Sequence, residues 1–95
     1  MIRTKELLQE LLSHEQGHYD LNEVFAAELK KNLSERCFDK SRYKLQADSI
    51  YRSLHQKYDR LQMKYDRETN YMHHRSMQAK WKRDINVMLK KARRE

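Results

Sequence analysis

Residues 7–25 read LLQELLSHEQGHYDLNEVF, from Leu7 to Phe25, and their spacing decides the fold. Leu7, Leu11, Leu21, Phe25, Leu29 and Leu33 recur at the interval of one helical face, widened by Leu8, Leu12, Val24 and Ala26. Stepping three and four along that seam from Leu11 lands on His14 and His18 before the apolar residues resume at Leu21. The spacing predicts a helix from about Thr4 to Arg36, with two histidines on its core-facing stripe and Gly17 as its one weak point. Thr4, followed by Glu6 and Leu7, supplies the start signal.

Further along, Asp39 or Ser41 is expected to cap a second helix after a short turn through Cys37 and Phe38. Tyr43, Ala47, Ile50, Leu54, Leu61 and Tyr65 form a heptad-like seam there, with Lys57 or Tyr58 filling the gap. Lys57-Tyr58-Asp59-Arg60 returns as Lys64-Tyr65-Asp66-Arg67, the echo of one helical face rather than a repeat architecture. Thr69-Asn70 is the expected break. Met77, Trp81, Ile85 and Met88 then mark a third helix to about Arg93. The fold expected is all-α, a long helical hairpin or three-helix bundle, in a single domain over 1–95.

Composition supports this. One glycine and no proline in 95 residues leave none of the punctuation that sandwiches and barrels need at their turns. A lone cysteine closes no internal disulfide. No apolar run approaches the roughly 20 residues of a membrane-crossing helix. The first residues are charged and lead into no signal-peptide core, so a cytoplasmic location is the expectation for the chain as written.

The chemistry sits in His14-Glu15-Gln16-Gly17-His18, the HExxH pattern. On a helix its histidines lie four residues apart, so both imidazoles project from one face toward one ion. Neutral imidazole nitrogen suits Zn2+. Glu15 lies about 100° round the helix from His14, beside the metal rather than on it, where it can act as general base toward metal-bound water. Two buried imidazoles without partners would be costly, so a shared metal or polar groups on a facing helix must satisfy them. Glu23 and Glu28 turn away from the histidine face on a straight helix. The remaining ligand is sought around the break, among Tyr71, His73, His74, Asp66 and Glu68.

Net charge is +7, distributed as −2 over residues 1–38, +3 over 39–74 and +6 over 75–95. The basic C-terminal segment, with Trp81 among Lys80, Lys82 and Arg83, raises nucleic-acid binding as an alternative. No nucleic-acid motif accompanies the charge, so this reading ranks last, behind a solvated basic helix face. The Tyr43–Tyr65 seam offers another alternative, a helical interaction module that pairs with a partner or with a second copy as a homo-oligomer.

Residues 11–21, LLSHEQGHYDL, together with Tyr65-Asp66-Arg67-Glu68-Thr69-Asn70-Tyr71 and then Gln78 and Trp81, resemble a bacterial family of unknown function, number 922, described as candidate secreted zinc proteases. The order and separation of the two blocks agree with the family as well. The resemblance implies a metallopeptidase-like domain acting on a peptide or protein, with His14 and His18 as zinc ligands and Glu15 as base. The family usually has histidine where this chain has Tyr71. Tyr71, or His73 through a local shift, is thereby implied as the further ligand. Family members are longer, are exported to the periplasm or beyond, and carry preceding segments rich in β-structure. The present chain resembles their C-terminal, metal-site half, as a fragment or a shortened relative. Zinc peptidases commonly hold substrate backbone against an edge strand, which this sequence does not offer.

Overall fold

The computed structural model describes residues 4–94. It contains three helices: α1 (Thr4–Glu35), α2 (Tyr43–Glu68) and α3 (Arg75–Arg94), with a single 3-10 turn, Asn70–Met72, between the last two. No strand occurs among the described residues. The all-α expectation holds, in its three-helix form.

The helix α1 is the spine. Both α2 and α3 pack along it, α2 antiparallel and α3 parallel, while α2 and α3 meet each other only narrowly. The core is small and continuous. Leu21, Tyr65, Trp81 and Ile85 form its upper part, backed by Leu61, Met77 and Met88. Val24, Tyr58 and Leu89 form the lower part, backed by Phe25, Leu61, Met88 and Ala92. The predicted stripe of α3 (Met77, Trp81, Ile85, Met88) is therefore the stripe that packs, completed by Leu89.

Three expectations need correction. Leu7 and Leu11 continue the apolar seam of α1, yet both remain exposed, as do Leu8 and Leu12. The reason is length. With 32 residues, α1 is about 48 Å long against about 30 Å for α3. Arg75, at the start of α3, pairs with Glu10, so the first turns of α1 run past the end of the bundle. The α2 seam divides similarly: Tyr58 and Tyr65 are buried with Leu61 packed against them, Ala47, Ile50 and Leu54 are half-buried, and Tyr43 stays exposed. Its C-terminal half is thus consumed inside the chain. Finally, neither Asp39 nor Ser41 caps α2. Arg42 occupies the N-cap without a side-chain hydrogen bond. Asp39 instead accepts from the backbone N–H and hydroxyl of Ser41, closing a turn one residue earlier.

The expected break at Thr69-Asn70 is present and has an unusual form. Asn70, Tyr71 and Met72 take φ of 47°, 56° and 102°, a short left-handed stretch made without glycine. Such a conformation costs roughly 1–2 kcal/mol per residue, least for asparagine. Thr69 anchors it. Its buried hydroxyl donates to the Tyr65 carbonyl at 2.7 Å, and its own carbonyl accepts from the N–H groups of Met72 and His74 at 3.1 and 2.8 Å. His74 then caps α3, its Nδ1 accepting the Met77 N–H at 3.3 Å. The consequence is a sharp reversal that lays α3 against α1 with Gln78 level with His14.

Candidate metal centre

His14 and His18 lie on the α1 face turned toward α2, as the four-residue spacing requires. His14 is buried at 3% exposure, and His18 is partly open at its edge. Their rings approach edge to face, with centroids 5.1 Å apart. Asp66, on α2, reaches across to both. Its Oδ1 stands 2.8 Å from His14 Nε2 and 2.6 Å from His18 Nε2. The three donor atoms lie within 4.8 Å of one another, and they are the one such group of histidine, cysteine or carboxylate side chains among the described residues.

The outward ring nitrogens are held as well. His14 Nδ1 lies 2.9 Å from Gln78 Oε1 on α3, and His18 Nδ1 is hydrogen-bonded to Gln62 Oε1 on α2. Tyr65 stacks flat on His14, with centroids 4.6 Å apart, and its hydroxyl donates to the His14 carbonyl at 2.8 Å. Gly17 makes that stacking feasible, because a β-carbon there would overlap the Tyr65 hydroxyl. The glycine read as a weak point of the helix is the opening through which α2 approaches it. No buried side-chain nitrogen or oxygen among the described residues is left without a partner.

Glu15 is exposed, one step round the helix from His14. Its charge reaches the site nonetheless. Burial pushes the Tyr65 phenol above its ordinary pKa, and the negative charges of Asp66, Glu15 and Asp20 push the same way, against a hydrogen bond from Gln78 that pulls it down. Beside the trio, a cleft lined by Gln16, Gly17, Tyr65, Gln78 and Lys82 shares the Tyr65 wall but not the donor atoms. The donors face solvent through the exposed edges of His18 and Asp66.

Of the residues sought near the break, Asp66 joins the histidines. His73 is exposed and outside the cluster. Tyr71 projects into solvent from the left-handed turn, 66% exposed. His74 is occupied as a helix cap, and Glu68 accepts the Trp81 indole N–H at 3.1 Å. Glu23 and Glu28 turn elsewhere as expected, to Arg93 and to Lys57 with Tyr58. Trp81 is in the core, which removes the one aromatic that the nucleic-acid reading placed among basic residues. Gln62 was not anticipated. Its only sequence signal is that it lies one helical turn before Asp66.

A family model described as bacterial protein of unknown function (DUF922) matches residues 2–75, more than three quarters of the chain. The chain belongs to that family. No curated protein and no solved structure matches it. The DUF922 match contains all three donor residues and Glu15, and it ends at the first residue of α3. Gln78 and the core residues Trp81 and Ile85 lie beyond it, so α3 supplies this chain with both a site partner and half of the core. Among the described residues no helix is long and apolar enough to cross a membrane.

Proposed function

We propose that this chain is a zinc-binding, metallopeptidase-like domain in which His14, His18 and Asp66 hold the metal and Glu15 is the general base. The observation that carries the reading is the convergence of two imidazole Nε2 atoms and one carboxylate oxygen, with both outward nitrogens already engaged by amide oxygens. Two histidines and a carboxylate are a donor set suited to zinc with a position left for water. Asp66 Oδ1 stands 2.8 and 2.6 Å from the two Nε2 atoms, closer than donors around one zinc ion, so a modest withdrawal of the carboxylate would admit the ion. Amide oxygens on the far side of each ring are the outer-shell support that orients metal-binding histidines.

Zinc bound there would supply a Lewis acid and a water acidic enough to ionise near neutral pH. The work of the chain itself is positional. Asp66 ties α2 to α1, and Tyr65 holds the His14 ring flat. Glu15 stands at the solvent side, free to take a proton and pass it on, as a general base needs. A peptide or protein is the substrate class that the HExxH arrangement supports.

Metal analysis and titration on untagged protein test the reading. Stoichiometric zinc in the wild type, none in His14→Ala, and retained zinc with lost peptide hydrolysis in Glu15→Gln are the expected results. Wild-type protein that neither carries zinc nor gains thermal stability from it would end the proposal.

A further inference from the structure

We infer that Tyr65 and Gln62 act as positioning residues that hold a proton on Nδ1 of His14 and of His18, so that both Nε2 atoms point at one place. The argument is one of donors and acceptors. The His14 backbone carbonyl can only accept, so the Tyr65 hydroxyl spends its proton on it at 2.8 Å. Toward Gln78 that hydroxyl can then only accept, and the atom of Gln78 standing 2.8 Å from it must be the amide NH2. The other end of the Gln78 amide is consequently an oxygen, 2.9 Å from His14 Nδ1. An amide oxygen cannot donate, so His14 carries its proton on Nδ1.

On the other histidine the same logic runs through a shorter chain. The Gln62 amide nitrogen lies 3.2 Å from the His18 carbonyl, an obligatory acceptor, and 3.1 Å from Asn22 Oδ1. Its oxygen end therefore meets His18 Nδ1, which must carry the proton. Each ring, protonated on Nδ1, turns its Nε2 toward the same carboxylate oxygen of Asp66, and because a carboxylate only accepts, that contact is a hydrogen bond when Nε2 carries a proton. A ring that gives up its Nε2 proton leaves a lone pair beside the carboxylate, where a metal cation can take the place of that proton. The tautomer lock stands on hydrogen-bond geometry alone; its use in holding zinc rests on the function proposed above.

The test is long-range proton–nitrogen correlation of the histidine side chains in metal-free protein at pH about 8, where unperturbed imidazoles are neutral. His14 and His18 should both appear with the proton on Nδ1. His74 supplies an internal opposite, because its Nδ1 accepts the Met77 N–H and its proton must sit on Nε2. In Tyr65→Phe the Gln78 amide is free to reverse, so His14 should lose its single tautomer while His18 keeps its own. Zinc affinity of that variant should fall on the order of tenfold or more. A wild-type His14 with no proton on Nδ1 would overturn the lock, and that measurement needs no variant to fold. If the tautomers are as inferred but wild-type protein takes up no zinc, the lock stands and the metal reading fails.

Discussion

The phenol of Tyr65 lies across Gly17 so closely that the two residues define the distance between α1 and α2. Tyr65 is fully buried, and the space a side chain at 17 would need is the space its hydroxyl fills. Alanine there would gain about 1 kcal/mol of helix propensity in an isolated helix. In this packing it forces a buried ring to move, which typically costs about 1–3 kcal/mol. Gly17→Ala should accordingly lower stability by up to about 2 kcal/mol, read as the denaturant midpoint. It should also weaken zinc binding, since the displaced ring is the one stacked on His14. A variant as stable as wild type, with unchanged zinc affinity, would show that the close approach is unimportant.

Asp66→Asn separates the metal role of the carboxylate from its structural one. The amide that replaces the carboxylate can accept from one ring through its oxygen and donate to the other through its nitrogen. Metal-free stability should stay within about 1 kcal/mol of wild type, while the stabilisation conferred by added zinc disappears. For the wild type that stabilisation should reach about 2.7 kcal/mol at a free zinc concentration one hundred times the dissociation constant. Tyr71→Phe and His73→Ala should both keep it, because those side chains lie exposed outside the donor cluster. Thermal melts of the four proteins with and without zinc decide the matter. Loss of the zinc response in Tyr71→Phe would return the third-ligand role to the tyrosine.

How far the sequence discloses the molecule varies by residue. Periodicity finds all three helices and the face of α1 that carries His14 and His18, because both follow from local geometry. It cannot tell that Leu7 and Leu11 go uncovered, since that depends on where α3 begins relative to α1. Asp66 is visible as one candidate among several near the break, but its selection is a contact across 52 residues. Gln62 looks like an ordinary polar surface position, and Gln78 stands out only through the family resemblance. Their importance arises only when the fold points their amide oxygens at the two rings. The break at Thr69-Asn70 is legible too, but no glycine announces that the chain turns left-handed there.

That turn yields a prediction of opposite signs at one position. Tyr71 sits at φ 56° and ψ 32°, left-handed, with its side chain exposed. Glycine adopts this conformation freely and relieves about 1–2 kcal/mol, of which its extra unfolded-state freedom returns roughly 0.5–1. Tyr71→Gly should leave stability unchanged or raise it by up to about 1 kcal/mol. Tyr71→Val, branched at the β-carbon, should lower it by at least a comparable amount. Chemical denaturation of the pair measures the difference directly. Equal stabilities would mean that the left-handed turn is not kept in solution.

At the other end of the bundle, Tyr58 and Glu28 couple stability to pH at both extremes. The Tyr58 hydroxyl donates to Glu28 Oε2, and Lys57 Nζ donates to Oε1 at 3.0 Å. Burial and then the Glu28 carboxylate raise the phenol well above its ordinary value of 10.0. The folded state therefore holds this proton after the unfolded state has released it. The stabilisation is complete below pH 10 and drains away above it, by at most about 1.4 kcal/mol per pH unit. Burial alone would raise the Glu28 carboxyl, but the hydrogen bonds from Tyr58 and Lys57 outweigh it and leave it below 4.5. Its contribution is present above that value and is lost as pH falls through the folded one. Tyr58→Phe should flatten the alkaline decline relative to wild type, and Glu28→Gln should flatten both limbs. Exposed lysines titrate alike in all three proteins and cancel in the comparison. Wild type and Tyr58→Phe losing stability in parallel above pH 10 would show that this phenol is not held in its protonated form by the fold.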